Sequence, residues 1–267
     1  MTTLDTVLDD LAAESLQLDG WVAGLTPDQW GTVTTPEGWT VAHQVAHLHW
    51  TDITSTYAVN DKEAFDALIV AALENPEGYI DQATDELAQE PPEALLPAWR
   101  QGRTQLVEAL QSVPDGNKIP WFGPPMSPVS MVTARLMETW AHGHDVAEAL
   151  GIEVPRTDRA KHVCHIGVRT FAFTHMMRGE EAPDVQVRVE LTGPSGELWT
   201  WGPEDAEQRV TGDGWDFALL ATRRRHRSDV DVTATGSAAD HWLDIVQAFA
   251  GMPGADPLPL AERQPLG

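Results

Sequence analysis

The chain has 267 residues, 42% of them hydrophobic and 22% charged, which is enough apolar material for one large core or two smaller ones; we expect two domains. Its 17 Lys and Arg face 41 Asp and Glu, and the resulting formal charge of −24 repels phosphate backbones and anionic lipid, arguing against nucleic-acid and membrane partners. The single cysteine, Cys164, cannot close an internal disulfide, the start MTTLDTVLDD has no basic-then-apolar leader, and no apolar run reaches the roughly 18 residues of a membrane span, so a cytoplasmic protein is expected.

In chain order, Leu4, Val7, Leu8, Leu11, Leu18, Trp21, Val22 and Leu25 fall mostly at steps of three and four and predict a helix over 4–25. Thr26-Pro27 reads as an N-cap followed by proline at the first helical position, opening one short turn. After the Pro36/Gly38 breaker, Trp39-Thr40 starts a longer helix over about 40–59, and weaker periodic segments follow at 61–74 and 78–88. Pro91-Pro92 open a helix ending near Val113, PDGNKIPWFGPPMSP forms a loop, and Ser127-Pro128 repeats the cap before a helix that Gly151 stops after Leu150. One further helix is expected over 158–178, ended by Gly179. After Pro183 the hydrophobic period changes from 3.6 to 2: VQVRVEL, ELWTW and DVDVTAT predict strands, and GWDFALLAT and AADHWLDIVQAFAG predict short helices. Trp199 and Trp201 then share one strand face, expected to pack on the helix carrying Trp242. The expected class is α+β: a mostly antiparallel helical bundle over 1–180, a small α+β domain over 181–253 and a loose Pro-rich tail over 254–267.

Glu138 and His142 stand four apart, so they share one helical face beside the apolar Met131, Val132 and Leu136. An unpartnered carboxylate is costly there and a cation would offset the cost. The segment 40–59 carries His43 and His47, also four apart, with His49 on another side; an imidazole from it would complete a His, Glu, His set. Three such ligands leave coordination positions open, as in catalytic divalent sites, most often zinc, although iron, nickel and copper suit the same donors. The same spacing also describes an ordinary solvated side-chain pair, so the residues alone leave both readings open. Asp145, three residues after His142, is placed to orient a ligand imidazole or hold a substrate hydroxyl, or simply to face solvent. His49 and His144 are either proton shuttles or helix-surface histidines. Arg223, Arg224, Arg225 and Arg227 are the one basic cluster, Trp39, Trp50 and Trp140 flank the candidate ligands, and Cys164, among apolar neighbours, reads as a buried structural thiol.

The stretch WTVAHQVAHL from Trp39 to Leu48 resembles the tryptophan-to-histidine motif of the DinB-like superfamily, and ETWAHGHD from Glu138 to Asp145 is similar to its second metal motif. Within that superfamily the chain is most similar to the actinobacterial branch with mycothiol-dependent maleylpyruvate isomerase, whose C-terminal sterol-carrier-like α+β piece WDFALLATRRRHRSDVDVTATG also resembles. The resemblance implies a DinB-like four-helix bundle holding a divalent metal through His47, Glu138 and His142; His43, by its own position one turn before His47, reads as a fourth ligand or a partner that supports the ligands. It also implies Arg224 as the group that meets a substrate carboxylate, and a low-molecular-weight thiol, mycothiol or a similar one, as co-substrate. Metal would turn that thiol into a thiolate that adds to an activated double bond or displaces a leaving group. The competing readings are a thiol-independent metal-dependent hydrolase, lyase or cyclase, and a non-catalytic metal- or ligand-binding protein; monomer and homodimer remain equally open.

Overall fold

The computed structural model describes residues 3–76 and 78–263, and the chain falls into two compact units, the first ending at Glu153 and the second beginning at Val154. In the first, α1 (Thr3–Val22), the single turn α2 (Pro27–Trp30), α3 (Val41–Asn60), α4 (Lys62–Glu74), α5 (Tyr79–Ala88), α6 (Pro92–Ser112) and α7 (Pro128–Leu150) follow the order read from the sequence. The four long helices α1, α3, α6 and α7 make the bundle, with α3 against both α6 and α7 and α1 against α7. The ends are set locally. Thr26 and Gln29 form a capping box on α2, the Ser127 hydroxyl accepts from Ser130 N–H at the start of α7, and Gly151 at φ 66° takes the left-handed conformation that ends it. Leu18, Val22, Val41, Val45, Leu48, Leu95, Trp99 and Val146 are buried in one cluster, each large aliphatic side chain contributing about 2 kcal/mol of apolar burial.

The second unit holds α8 (Ala160–Arg169), α9 (Phe171–Met177), β1 (Val187–Thr192), β2 (Leu198–Trp201), β3 (Gln208–Asp213), α10 (Gly214–Ala221), β4 (Val232–Thr235) and α11 (Ser237–Ile245). The sheet runs β2-β1-β3-β4, with β1 and β3 parallel and the outer pairs antiparallel. Strand β3 was not expected. Only Val210 of QRVTGD is buried, so no alternation marks it, yet it is a central strand whose Gly212, at φ 150°, lies where a Cβ would meet the Asp231 carbonyl at 2.2 Å.

The structure differs from the expectation in four further places. The helix expected over 158–178 is two, broken at Thr170, whose hydroxyl lies 2.6 Å from the Gln247 carbonyl; no Gly or Pro marks the break. The compact units part at 153/154 and not at 180/181 because α8 packs on α10, Gly167 approaching Phe217 and Ala221 so closely that a Cβ would lie 3.1 and 3.0 Å from them. Trp199 and Trp201 do share a face, but they meet α8: Lys161 sits over Trp199, and Trp201 Nε1–H donates to His165 at 3.2 Å, while Trp242 packs on Phe171 and Phe217. As far as Arg263 the segment after Gly254 is tied down: Asp256 pairs with Arg178 and Arg223, and Leu260 N–H donates to Asp229 at 2.9 Å. Residues 264–267 of the expected tail lie outside the described residues. No helix among the described residues is long and apolar enough to cross a membrane.

Candidate metal centre

The pairing of α3 with α7 brings His47 to Glu138 and His142. Glu138 Oε2 lies 3.2 Å from His142 Nε2 and 3.7 Å from His47 Nε2, and one donor atom from each of the three falls within 4.8 Å of the others. The imidazoles stand with ring centres 4.5 Å apart, and both are buried. Thus the set that spacing alone left open converges, from two helices, on one point.

What orients it is a residue the sequence reading passed over. Gln44 is fully buried on α3; its amide N–H donates to Thr34 Oγ1 at 2.8 Å, and the Thr34 hydroxyl donates in turn to the Trp39 carbonyl at 3.0 Å. With the amide committed that way, Gln44 Oε1 is the acceptor that faces His142 Nδ1 at 2.5 Å, so Nδ1 carries the proton and Nε2 presents a lone pair towards Glu138. A lone pair 3.2 Å from a carboxylate oxygen is repulsive unless a proton or a cation lies between them. Two neutral imidazoles, one carboxylate and this fixed tautomer fit a divalent cation.

Electrostatics favour the ionised carboxylate. In the metal-free protein a proton takes the place of the cation: burial would raise the Glu138 pKa, but His142 and His47 donating to it through protonated Nε2, together with the positive Arg135 4.0 Å away, outweigh that and hold the carboxyl well below its usual range. Arg135 belongs to a buried charge group in the bundle: Asp52 Oδ2 is ion-paired with Arg103 Nε at 2.9 Å, and Arg103 Nη2 donates to Thr139 at 3.1 Å.

The remaining candidates are distributed as follows. His43 sits one turn before His47 and is engaged elsewhere: its Nδ1 accepts from the Thr40 backbone N–H at 3.2 Å at the start of α3, so Nε2 carries the proton facing Asp85 at 3.3 Å. Asp145 is buried, with Oδ2 3.9 Å from His142 Nδ1, the nitrogen that Gln44 holds. His49 and His144 are both buried, contrary to a surface position: His49 lies against Gly102, with burial lowering its pKa, and His144 Nδ1–H donates to the Trp140 carbonyl at 2.7 Å. Trp39 stacks on His142 with ring centres 5.8 Å apart and also flanks His47, while Trp50 packs against His47, Tyr79 and Phe122; Trp140 is core. Arg224 lies in the second unit, where Nη1 donates to the Thr222 carbonyl at 2.7 Å. Cys164 is buried as expected, its thiol donating to the Gly214 carbonyl at 3.0 Å and its pKa pushed up by burial.

The family profile described as the mycothiol maleylpyruvate isomerase N-terminal domain matches residues 11–147, a span that contains all three candidate ligands. The chain belongs to that family. A second profile, described as wyosine base formation, matches residues 183–235 in the sheet-bearing unit. Uncharacterized proteins from two Mycobacterium tuberculosis strains, CDC 1551/Oshkosh and ATCC 25618/H37Rv, are each 52% identical over 245 residues, covering 92% of this chain and 95% of their own. Among solved structures, the mycothiol-dependent maleylpyruvate isomerase and a histidine-to-alanine mutant of it superpose with TM-scores of 0.59 and 0.60 at 16% and 17% identity, over 88% of this chain and 95% of theirs. This member of the family therefore shares their fold, a helical bundle followed by an α+β part.

Proposed function

We propose that the protein is a thiol-dependent isomerase or S-transferase, using mycothiol or a similar low-molecular-weight thiol and a divalent metal, zinc before iron, nickel or copper, held by His47, Glu138 and His142. The observation that carries this reading is the convergence of those three donors, with the His142 tautomer fixed by Gln44, in a chain of the mycothiol maleylpyruvate isomerase family. A cation bound there would stabilise a thiolate at neutral pH and keep positions open for it.

The chain's own residues have definable tasks around that chemistry. Gln44 aims His142, Arg135 adds a positive charge that favours the ionised Glu138 beside the two imidazoles, and Trp39 and Trp50 give those imidazoles an apolar flank against which a small planar electrophile can lie. In an isomerisation the thiolate sulfur adds to one carbon of an activated double bond, whose π pair moves onto the activating carbonyl as an enolate; the resulting single bond rotates, and the enolate pair re-forms the double bond as the sulfur departs with the bonding pair, regenerating the thiolate. In a transfer the sulfur displaces a leaving group, which takes the bonding pair.

The test is turnover of a panel of small electrophiles by protein purified without chelator, with and without mycothiol. Thiol-dependent turnover that disappears with chelator, returns with zinc and is absent from the His142→Ala variant is expected. Turnover that needs no thiol would favour the hydrolase, lyase or cyclase reading, and metal-dependent ligand binding without chemical change would favour a binding protein.

A further inference from the structure

The second unit carries another convergence of two histidines and a carboxylate, formed by parts of the chain far apart in sequence. Gly179, at φ 72°, ends α9 and lets the backbone fold back, so that Glu180 N–H donates to the His175 carbonyl at 2.9 Å. This return sets the Glu180 carboxylate 3.1 Å from His175 Nδ1, while His241 on α11 brings its Nε2 to 2.7 Å from the same oxygen. The three donor atoms lie within 4.8 Å of one another. His175 is 1% exposed, and the Phe171 ring, edge-on at 5.0 Å, fixes its plane. Glu180 and His241 have side chains 40% and 48% exposed, so the cluster opens to solvent on one side.

We propose that His175, Glu180 and His241 form a second site for a divalent transition metal, of the zinc, cobalt or nickel class, distinct from the bundle site. The donors are those such ions prefer, and tetrahedral coordination at about 2.05 Å places ligand atoms about 3.3 Å apart, near the 3.1 Å between Glu180 and His175, while the 2.7 Å between Glu180 and the exposed His241 side chain would open by about 0.6 Å. Hydrogen bonding alone satisfies His241 and Glu180, but it leaves His175 with Nε2 buried and without a partner among the described residues. A metal on Nδ1 costs no additional pairing, since one nitrogen of that ring is unpaired in either state. The nearest basic neighbour in sequence, Arg178, is engaged by Asp256 at 3.2 Å. With α9 and α11 joined through one ion, the site would close a loop of 61 residues between Glu180 and His241 and stabilise this unit in proportion to metal occupancy.

The experiment is metal stoichiometry on the full chain, stripped with chelator and titrated with Zn(II), and separately with Co(II), whose visible absorption reports tetrahedral nitrogen and oxygen ligands. His241→Ala, on an exposed helix face, and the isosteric Glu180→Gln should each bind one equivalent fewer than the wild-type chain at micromolar free metal, and should lose the metal-induced rise in melting temperature. The His47→Ala, His142→Ala double variant should keep the equivalent that His241→Ala loses, which separates this site from the bundle centre. Unchanged stoichiometry in His241→Ala and Glu180→Gln, or no bound metal in the double variant, would overturn the proposal.

Discussion

Replacing Gln44 with leucine tests whether the metal centre is aimed from the side. The substitution keeps the volume on α3 but removes the acceptor 2.5 Å from His142 Nδ1 and the donor 2.8 Å from Thr34. Losing a buried hydrogen-bonded partner costs about 1–3 kcal/mol of stability. Because the tautomer of a ligand imidazole is lost with it, zinc affinity should fall about 10–100-fold, equivalent to about 1.4–2.7 kcal/mol. Thr34→Val separates the two contributions, since it breaks only the outer link and leaves Gln44 facing His142; its affinity loss should be the smaller. Competition against a chromophoric chelator measures affinity, and urea denaturation of the metal-free protein measures stability. If Gln44→Leu lost stability yet bound zinc within twofold of wild type, Gln44 would be packing and the tautomer argument would fail.

Other consequences follow from the same contacts. In metal-free protein the Glu138 carboxyl is held below its unfolded value, so its contribution to stability is present above about pH 4.3 and is lost as pH falls through the folded value; urea midpoints of Glu138→Gln should fall less steeply with acid than those of wild type. Asp52→Ala strands the Arg103 guanidinium in the bundle and should cost about 3–5 kcal/mol in denaturant titration, whereas an Asp52→Ala, Arg103→Met pair should recover much of it. Gly212→Ala would drive a Cβ to 2.2 Å from the Asp231 carbonyl and should cost about 2 kcal/mol or more, while Gly20→Ala in α1, with nothing within 4 Å, should stabilise by about 0.4–1 kcal/mol; paired thermal melts decide both.

Features set by a few neighbouring residues were readable without coordinates. The caps at Thr26 and Ser127 and the stop at Gly151 placed helix ends, and the four-residue step from Glu138 to His142 placed two donors on one face. Features set by distant partners were not. β3 is a strand because β1 and β4 flank it, and Thr170 breaks a helix because Gln247, 77 residues away, offers its carbonyl. Residues that hold the site belong to the second kind, since Gln44 meets His142 across 98 residues and Arg103 meets Asp52 from another helix. Even so, they leave a trace. On α3 the stations Val41, Gln44, Val45, Leu48 and Asp52 recur at steps of three and four and are all buried, so the two polar members stand where the period demands apolar ones. A buried amide or carboxylate must find a partner in the core, and in this bundle those two stations lead to the ligand imidazole and to the charge group that ends at Glu138. Polar exceptions on an apolar stripe, and not the histidines alone, are therefore where the supporting structure of a buried site can be sought in a sequence of this kind.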